Sequence, residues 1–133
     1  MAIRLTIILF FILNLCSASG IKIGIFQEIK SSSVVFTPSN GVYQVYADDK
    51  LIFSCKDLQL VKLTAASYSI SINYQGKNYT ANHKVRFLID NWDSNFELKS
   101  IIPKHRKQTY DDNLIVKHRK GKLVLINEIH LEK

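Results

Sequence analysis

Apolar and polar residues alternate with a period of two along most of the chain beyond residue 20. In "SYSISINY", Tyr68, Ile70, Ile72 and Tyr74 share one face, and Ser67, Ser69, Ser71 and Asn73 share the other. That is the pattern of a strand, whose successive side chains point to opposite sides of a sheet. "IKIGIF" (Ile21 to Phe26), "SVVFT", "VYQVYA", "LIFSC", "VRFLID" and "NFELKSII" also read as strands. Turn residues separate several of them: Pro38 with Asn40-Gly41, Asp48-Asp49-Lys50, and Gln75-Gly76-Lys77. Such residues preset or tolerate the backbone angles of tight turns. No segment carries a capped apolar repeat of helical period. The pattern predicts an all-β fold, a mainly antiparallel sheet in one compact domain.

Near the C-terminus, "LIVKHRKGKLVLINEI" predicts a hairpin from Leu114 to Ile129 with its loop near Arg119-Lys120-Gly121-Lys122. Gly121 supplies the positive φ that a tight loop needs. The apolar run in "KLVLINEI" reads as a strand buried on both faces. The tetrapeptide KHRK occurs twice, beginning at Lys104 and at Lys117. The first copy follows Pro103 and connects to a strand containing Tyr110; the second forms the hairpin turn and its strand ends. Two readings stand. The clusters are solvated sheet edges whose charge resists edge-to-edge pairing, or they converge on a groove for an anionic polymer.

The N-terminus bears on that choice. Arg4, an apolar run from Leu5 to Leu15, and small residues from Ser17 to Gly20 compose a secretory signal peptide. It is assigned to residues 1–19, with cleavage after Ala18 or Ser19, and the run is short for a membrane span. Cys16 is a poor lipidation site because the bulky Leu15 precedes it. The mature chain, residues 20–133, is therefore expected in a periplasm or on a bacterial surface, with no stable membrane span. It retains one cysteine, Cys55, so it forms no internal disulfide, which suits a bacterial envelope better than a disulfide-stapled secretory module. In that setting the sequon Asn78-Tyr79-Thr80 reads as a chance match. The formal charge of the whole chain is +7, and losing Arg4 leaves +6. Export removes nuclear import as a reading of KHRK and nucleic acid as a partner.

The last thirty residues carry a resemblance. The run Arg106, Tyr110, Leu114, Val116, then Gly121, Leu123, Ile126, Asn127, Glu128, Ile129, Leu131 and Glu132 resembles the stage II sporulation protein D (SpoIID/LytB) family. The family's pattern there is G-x-L-x-V-V-N-x-V-x-L-E-x-Y-L, and "IKIGIF" is similar to its opening strand. Asp111 departs from the pattern, standing where the family often has glycine. The resemblance implies peptidoglycan glycan strands as the target, lytic transglycosylase chemistry, and in some members stimulation of a cell-wall amidase. It implies an acid that protonates the glycosidic oxygen and then takes a proton from the sugar's 6-hydroxyl. In the family that glutamate lies on a helix just after the motif, so residues 20–133 are expected to be a catalytically incomplete N-terminal part. The hairpin on which that helix would pack is then expected to be the least secure element. Lys104, Arg106, Tyr110 and Arg119 are the candidate substrate-binding residues, and Asn127, Glu128, Leu131 and Glu132 the motif residues.

Other chemistries find little support. Glu128, Glu132 and Asp111-Asp112 lie among basic side chains that keep carboxylates ionised, the opposite of what a general acid needs; none is assigned a catalytic role. His83, His105, His118 and His130 lack metal-ligand spacing, and Cys55 ends an apolar run as a buried thiol does. No metal site and no cofactor is expected. Trp92, between Asn91 and Asp93, reads as a lid on the core in preference to a sugar platform. Three classes remain: a SpoIID/LytB-type wall protein, a non-catalytic basic β module for an anionic envelope polymer, and a structural domain with a protein partner on its basic face.

Overall fold

The alternating segments become strands, and the computed structural model describes residues 20–131. They are β1 (Ile21–Ile25), β2 (Ser33–Asn40), β3 (Tyr43–Ala47), β4 (Lys50–Cys55), β5 (Val61–Ala65), β6 (Ile70–Tyr74), β7 (Lys77–Ala81), β8 (Lys84–Ile89), β9 (Asn95–Ile102), β10 (Gln108–Asp111), β11 (Asn113–Arg119) and β12 (Lys122–Ile129). The described residues contain no helix. One six-stranded sheet runs β1-β12-β11-β8-β3-β4 and the other β10-β9-β2-β5-β6-β7, and every pairing is antiparallel. The fold is all-β. The predicted signal peptide, with Cys16, and Glu132 lie outside the described residues.

The inner faces meet over an aromatic centre. Phe36 of β2 stacks on Phe87 of β8 at 3.9 Å between centroids and on Phe96 of β9 at 4.9 Å, and Tyr43 of β3 meets Phe36 edge-on at 5.1 Å. All four are fully buried. Such pairs contribute about 0.5–1.5 kcal/mol each beyond the area they bury. A smaller stack joins the two sheets near one side, with Phe53 of β4 lying 4.0 Å from Tyr74 of β6 and nearly parallel to it.

Three two-residue loops have positive φ at both central positions: Asp48 and Asp49 (48° and 71°), Gln75 and Gly76 (49° and 77°), and Lys120 and Gly121 (51° and 75°). That geometry matches the twist of the strands they join. Asp48 does more than turn: its carboxylate accepts the backbone N–H groups of Asn82, His83 and Lys84, tying the β3–β4 loop to the β7–β8 loop.

Several local expectations change. Pro38 lies buried within β2, paired with Phe96, and the turn falls at Gly41 (φ 87°). A register shift follows Pro38, the kind of irregularity that accommodates a residue with no N–H to donate. Tyr68 does not join Ile70, Ile72 and Tyr74 in the core; it is 87% exposed, because the Ala66 N–H bonds to the Ser69 carbonyl and turns the chain before β6 begins. In β12 the run is not doubly buried. Leu123, Leu125 and Asn127 point inward, whereas Lys122 and Val124 face solvent. The hairpin is also no loose end. β11 and β12 are interior strands, flanked by β8 and β1, and Leu114, Val116, Leu123 and Leu125 belong to the core.

Candidate functional site

Where β1 stops, the chain leaves one sheet for the other, and the crossing opens a groove. β1 pairs with β12 only from Ile21↔Ile129 to Ile25↔Leu125. Phe26 (φ 55°) and Lys30 (φ 53°) then turn the chain away, and the Leu123 N–H is met instead by the Ser31 carbonyl at 2.7 Å. Gly24 gives the Gln27 side chain room to fold over β1. The Gln27 side chain lies against it, and an added Cβ would sit 1.9 Å from the Gln27 amide nitrogen. The resulting groove has a volume of about 740 Å³. Its floor is apolar, with Ile25, Phe26, Leu123 and Leu125 among its residues.

Its rim is cationic. Lys22 comes from β1, Lys30 from the crossing, and Arg119, Lys120 and Lys122 from the hairpin tip, with no carboxylate among the lining residues. The ion pairs among the described residues fall elsewhere: Lys84 and Arg86 with Asp49, and Lys107 with Glu97. Five cations around a low-dielectric floor focus a positive potential on the groove. The arrangement fits an extended anionic chain with some apolar surface.

The second KHRK copy therefore contributes to the groove, but not as a sheet edge. β11 is interior, Lys117 lies opposite Val124 on one side and Lys84 on the other, and only Arg119 and Lys120 reach the tip. The first copy goes elsewhere. Lys104 and Lys107 line a separate hollow of about 440 Å³ with Val35, Leu60 and Lys99 on the outer side of the other sheet. The two clusters do not converge on one groove. Arg106 is exposed in the same connection. His105 alone of that copy leans toward the groove, its ring 5.9 Å from that of Phe26.

Tyr110 also proves structural in its contacts. It is half-buried between Phe26 (6.2 Å) and Phe96 (5.7 Å), and its hydroxyl donates to the Gln108 side chain. Burial raises its pKa. The motif residues form a polar knot at the far end of β12. Buried Asn127 donates to the carbonyls of Asp111 and Asn113 at 2.7 and 2.9 Å. Asn113 accepts the Ile89 N–H and donates to Glu128 and to the His130 ring. Asp112 (φ 66°) accepts the His130 N–H with its carboxylate and the Tyr43 hydroxyl with its carbonyl. Burial, then the nearby Asp112 and Asp111 charges, push the Tyr43 phenol well above its ordinary pKa. Leu131 is exposed.

No family model, curated protein or solved structure matches the chain. Among the described residues no three His, Cys, Asp or Glu side chains gather to hold a metal ion, and no helix is long and apolar enough to cross a membrane. Lys22 and Lys30 escaped the sequence reading. Each is a lone lysine in its segment; the pairing of β1 with β12 places Lys22 on the hairpin, and the Ser31–Leu123 bond places Lys30 there.

Proposed function

We propose that the protein is an exported, non-catalytic β module that holds an anionic cell-envelope polymer in the groove between β1 and the β11–β12 tip. The observation that carries this reading is the rim of Lys22, Lys30, Arg119, Lys120 and Lys122 over an apolar floor, with no carboxylate among the lining residues. The resemblance to SpoIID/LytB proteins supplies the polymer, a peptidoglycan glycan strand with its acidic peptides, and an amidase working on that strand as a possible partner. Cleavage is not assigned to the described residues. Glu128 is engaged by Asn113 and Asp112 by the His130 N–H, so both serve the fold around them. Asp111 is exposed and apart from the groove lining.

The test compares two triple variants of the chain from Gly20 onward. Lys30→Gln/Arg119→Gln/Lys120→Gln strips the groove, and Lys104→Gln/Arg106→Gln/Lys107→Gln strips the other cluster. Co-sedimentation with purified peptidoglycan at rising salt should show about a tenfold or greater loss for the groove variant, together with loss of salt dependence. The second variant should bind like the parent. Equal binding by the groove variant and the parent would overturn the proposal.

A further inference from the structure

The expected lid on the core is not a lid. Trp92 is 56% exposed and borders a hollow of about 270 Å³ lined by Ile89, Asp90, Asn91, Trp92 and His130. We propose that this hollow is a saccharide-binding site, with one pyranose ring seated on the Trp92 indole. It lies at the opposite end of β12 from the hairpin tip and does not rest on the reading of the basic groove.

The loop that carries the indole is tied down on both sides. On one side of it the Asp90 N–H bonds to the Val42 carbonyl. On the other, the Asn91 side-chain oxygen accepts from the Asp93 N–H and the Ser94 hydroxyl, and Asn40 donates to the Asp93 carbonyl. The His130 ring stands perpendicular to the indole, 5.5 Å away and at 82°. More than half of the Trp92 surface is exposed to a ligand.

The chemistry around the platform is that of hydroxyl recognition. Asn113 accepts the Ile89 N–H through its oxygen, which fixes its amide so that the nitrogen faces His130. That nitrogen is a donor and lies 3.1 Å from the His130 Nε2. Asp90 is exposed and offers carboxylate oxygens, and the Asn91 amide nitrogen remains a donor. One apolar plane with acceptors and donors at its border suits a sugar ring, whose C–H face is apolar and whose rim carries hydroxyls. The volume lies just under the range of about 300–1,000 Å³ usual for drug-sized ligands. It accommodates a single ring.

Trp92 is the only tryptophan in the chain, so its fluorescence reports on this site directly. The chain from Gly20 onward, which holds both sheets and the whole core, is titrated with two neutral probes, an N-acetylglucosamine tetramer and maltotetraose. A saturable change in emission, with half-saturation on the order of millimolar, is expected for at least one probe. The change should be insensitive to salt and retained in Lys30→Gln/Arg119→Gln/Lys120→Gln, which separates it from the groove. Asp90→Ala should weaken it about fivefold or more, and Trp92→Ala, followed by calorimetry, should abolish binding while circular dichroism stays unchanged. No emission change up to about 50 mM of either probe, or a change that Asp90→Ala leaves intact, would overturn the proposal.

Discussion

Asn127 is where the resemblance and the structure give one residue two possible purposes, and its replacement by alanine separates them. The side chain is 3% exposed, and its nitrogen satisfies the carbonyls of Asp111 and Asn113 on either side of the αL residue Asp112. Alanine leaves both carbonyls without that donor. Asp111 is exposed, so water takes over at its carbonyl and the loss there is about 1 kcal/mol, the net value of an ordinary hydrogen bond. Asn113 is buried, but its carbonyl still faces Glu128 in the β11–β12 ladder, so the loss there is also about 1 kcal/mol. The sum is about 2 kcal/mol, which lowers the melting temperature of a domain this size by roughly 10 °C. Asn127→Asp should cost more, because carboxylate oxygens then face the two carbonyls. Glu128→Gln retains an acceptor for Asn113 and should stay within about 1 kcal/mol of the parent. Urea unfolding followed by circular dichroism measures all three. An Asn127→Ala domain within about 0.5 kcal/mol of the parent would refute the structural role and leave the motif to function.

Lys120→Asn places a residue that tolerates αL at the first position of the hairpin loop. It should stabilise by about 0.5–1 kcal/mol in thermal unfolding while weakening polymer binding; unchanged binding would remove Lys120 from the groove. Burial alone would raise the Asp48 pKa, but the backbone N–H groups of Asn82, Lys84 and His83, with the His83 charge, outweigh it and hold the value below the ordinary one. A depressed carboxyl adds stability above its unfolded pKa and loses it as pH falls through the folded one. The destabilisation of Asp48→Asn should therefore be full at pH 7 and shrink below about pH 4; a constant difference down to pH 3 would contradict the bonding. Cys55 is fully buried, which pushes its thiol up to about 12. Iodoacetamide at pH 8 should label it only as the domain unfolds, and rapid labelling of the native chain would show that it is accessible.

Strands and tight turns were legible because their causes are local. Period-two alternation marked the strand face containing Ile70, Ile72 and Tyr74, and Gly76 and Gly121 marked loops that need positive φ. Even so, alternation did not reveal that Tyr68 falls outside its strand or that Pro38 stays inside one. Those outcomes depend on the Ala66–Ser69 turn and on the register shift between β2 and β9. The sequence by itself determined an all-β chain with a basic hairpin tip near its end. Only the tertiary structure decided which charges act together. The β1–β12 register sets Lys22 opposite Glu128, the Ser31–Leu123 bond brings Lys30 to the hairpin, and the division into two sheets sends Lys104 and Lys107 to another hollow. Likewise, the cradle of Asp90 to Ser94 leaves Trp92 outside the core. The physical reason is range: strand and turn preferences act over a few residues, whereas a charge cluster is fixed by pairings between segments about a hundred residues apart, whose register follows from burying one face of every strand at once.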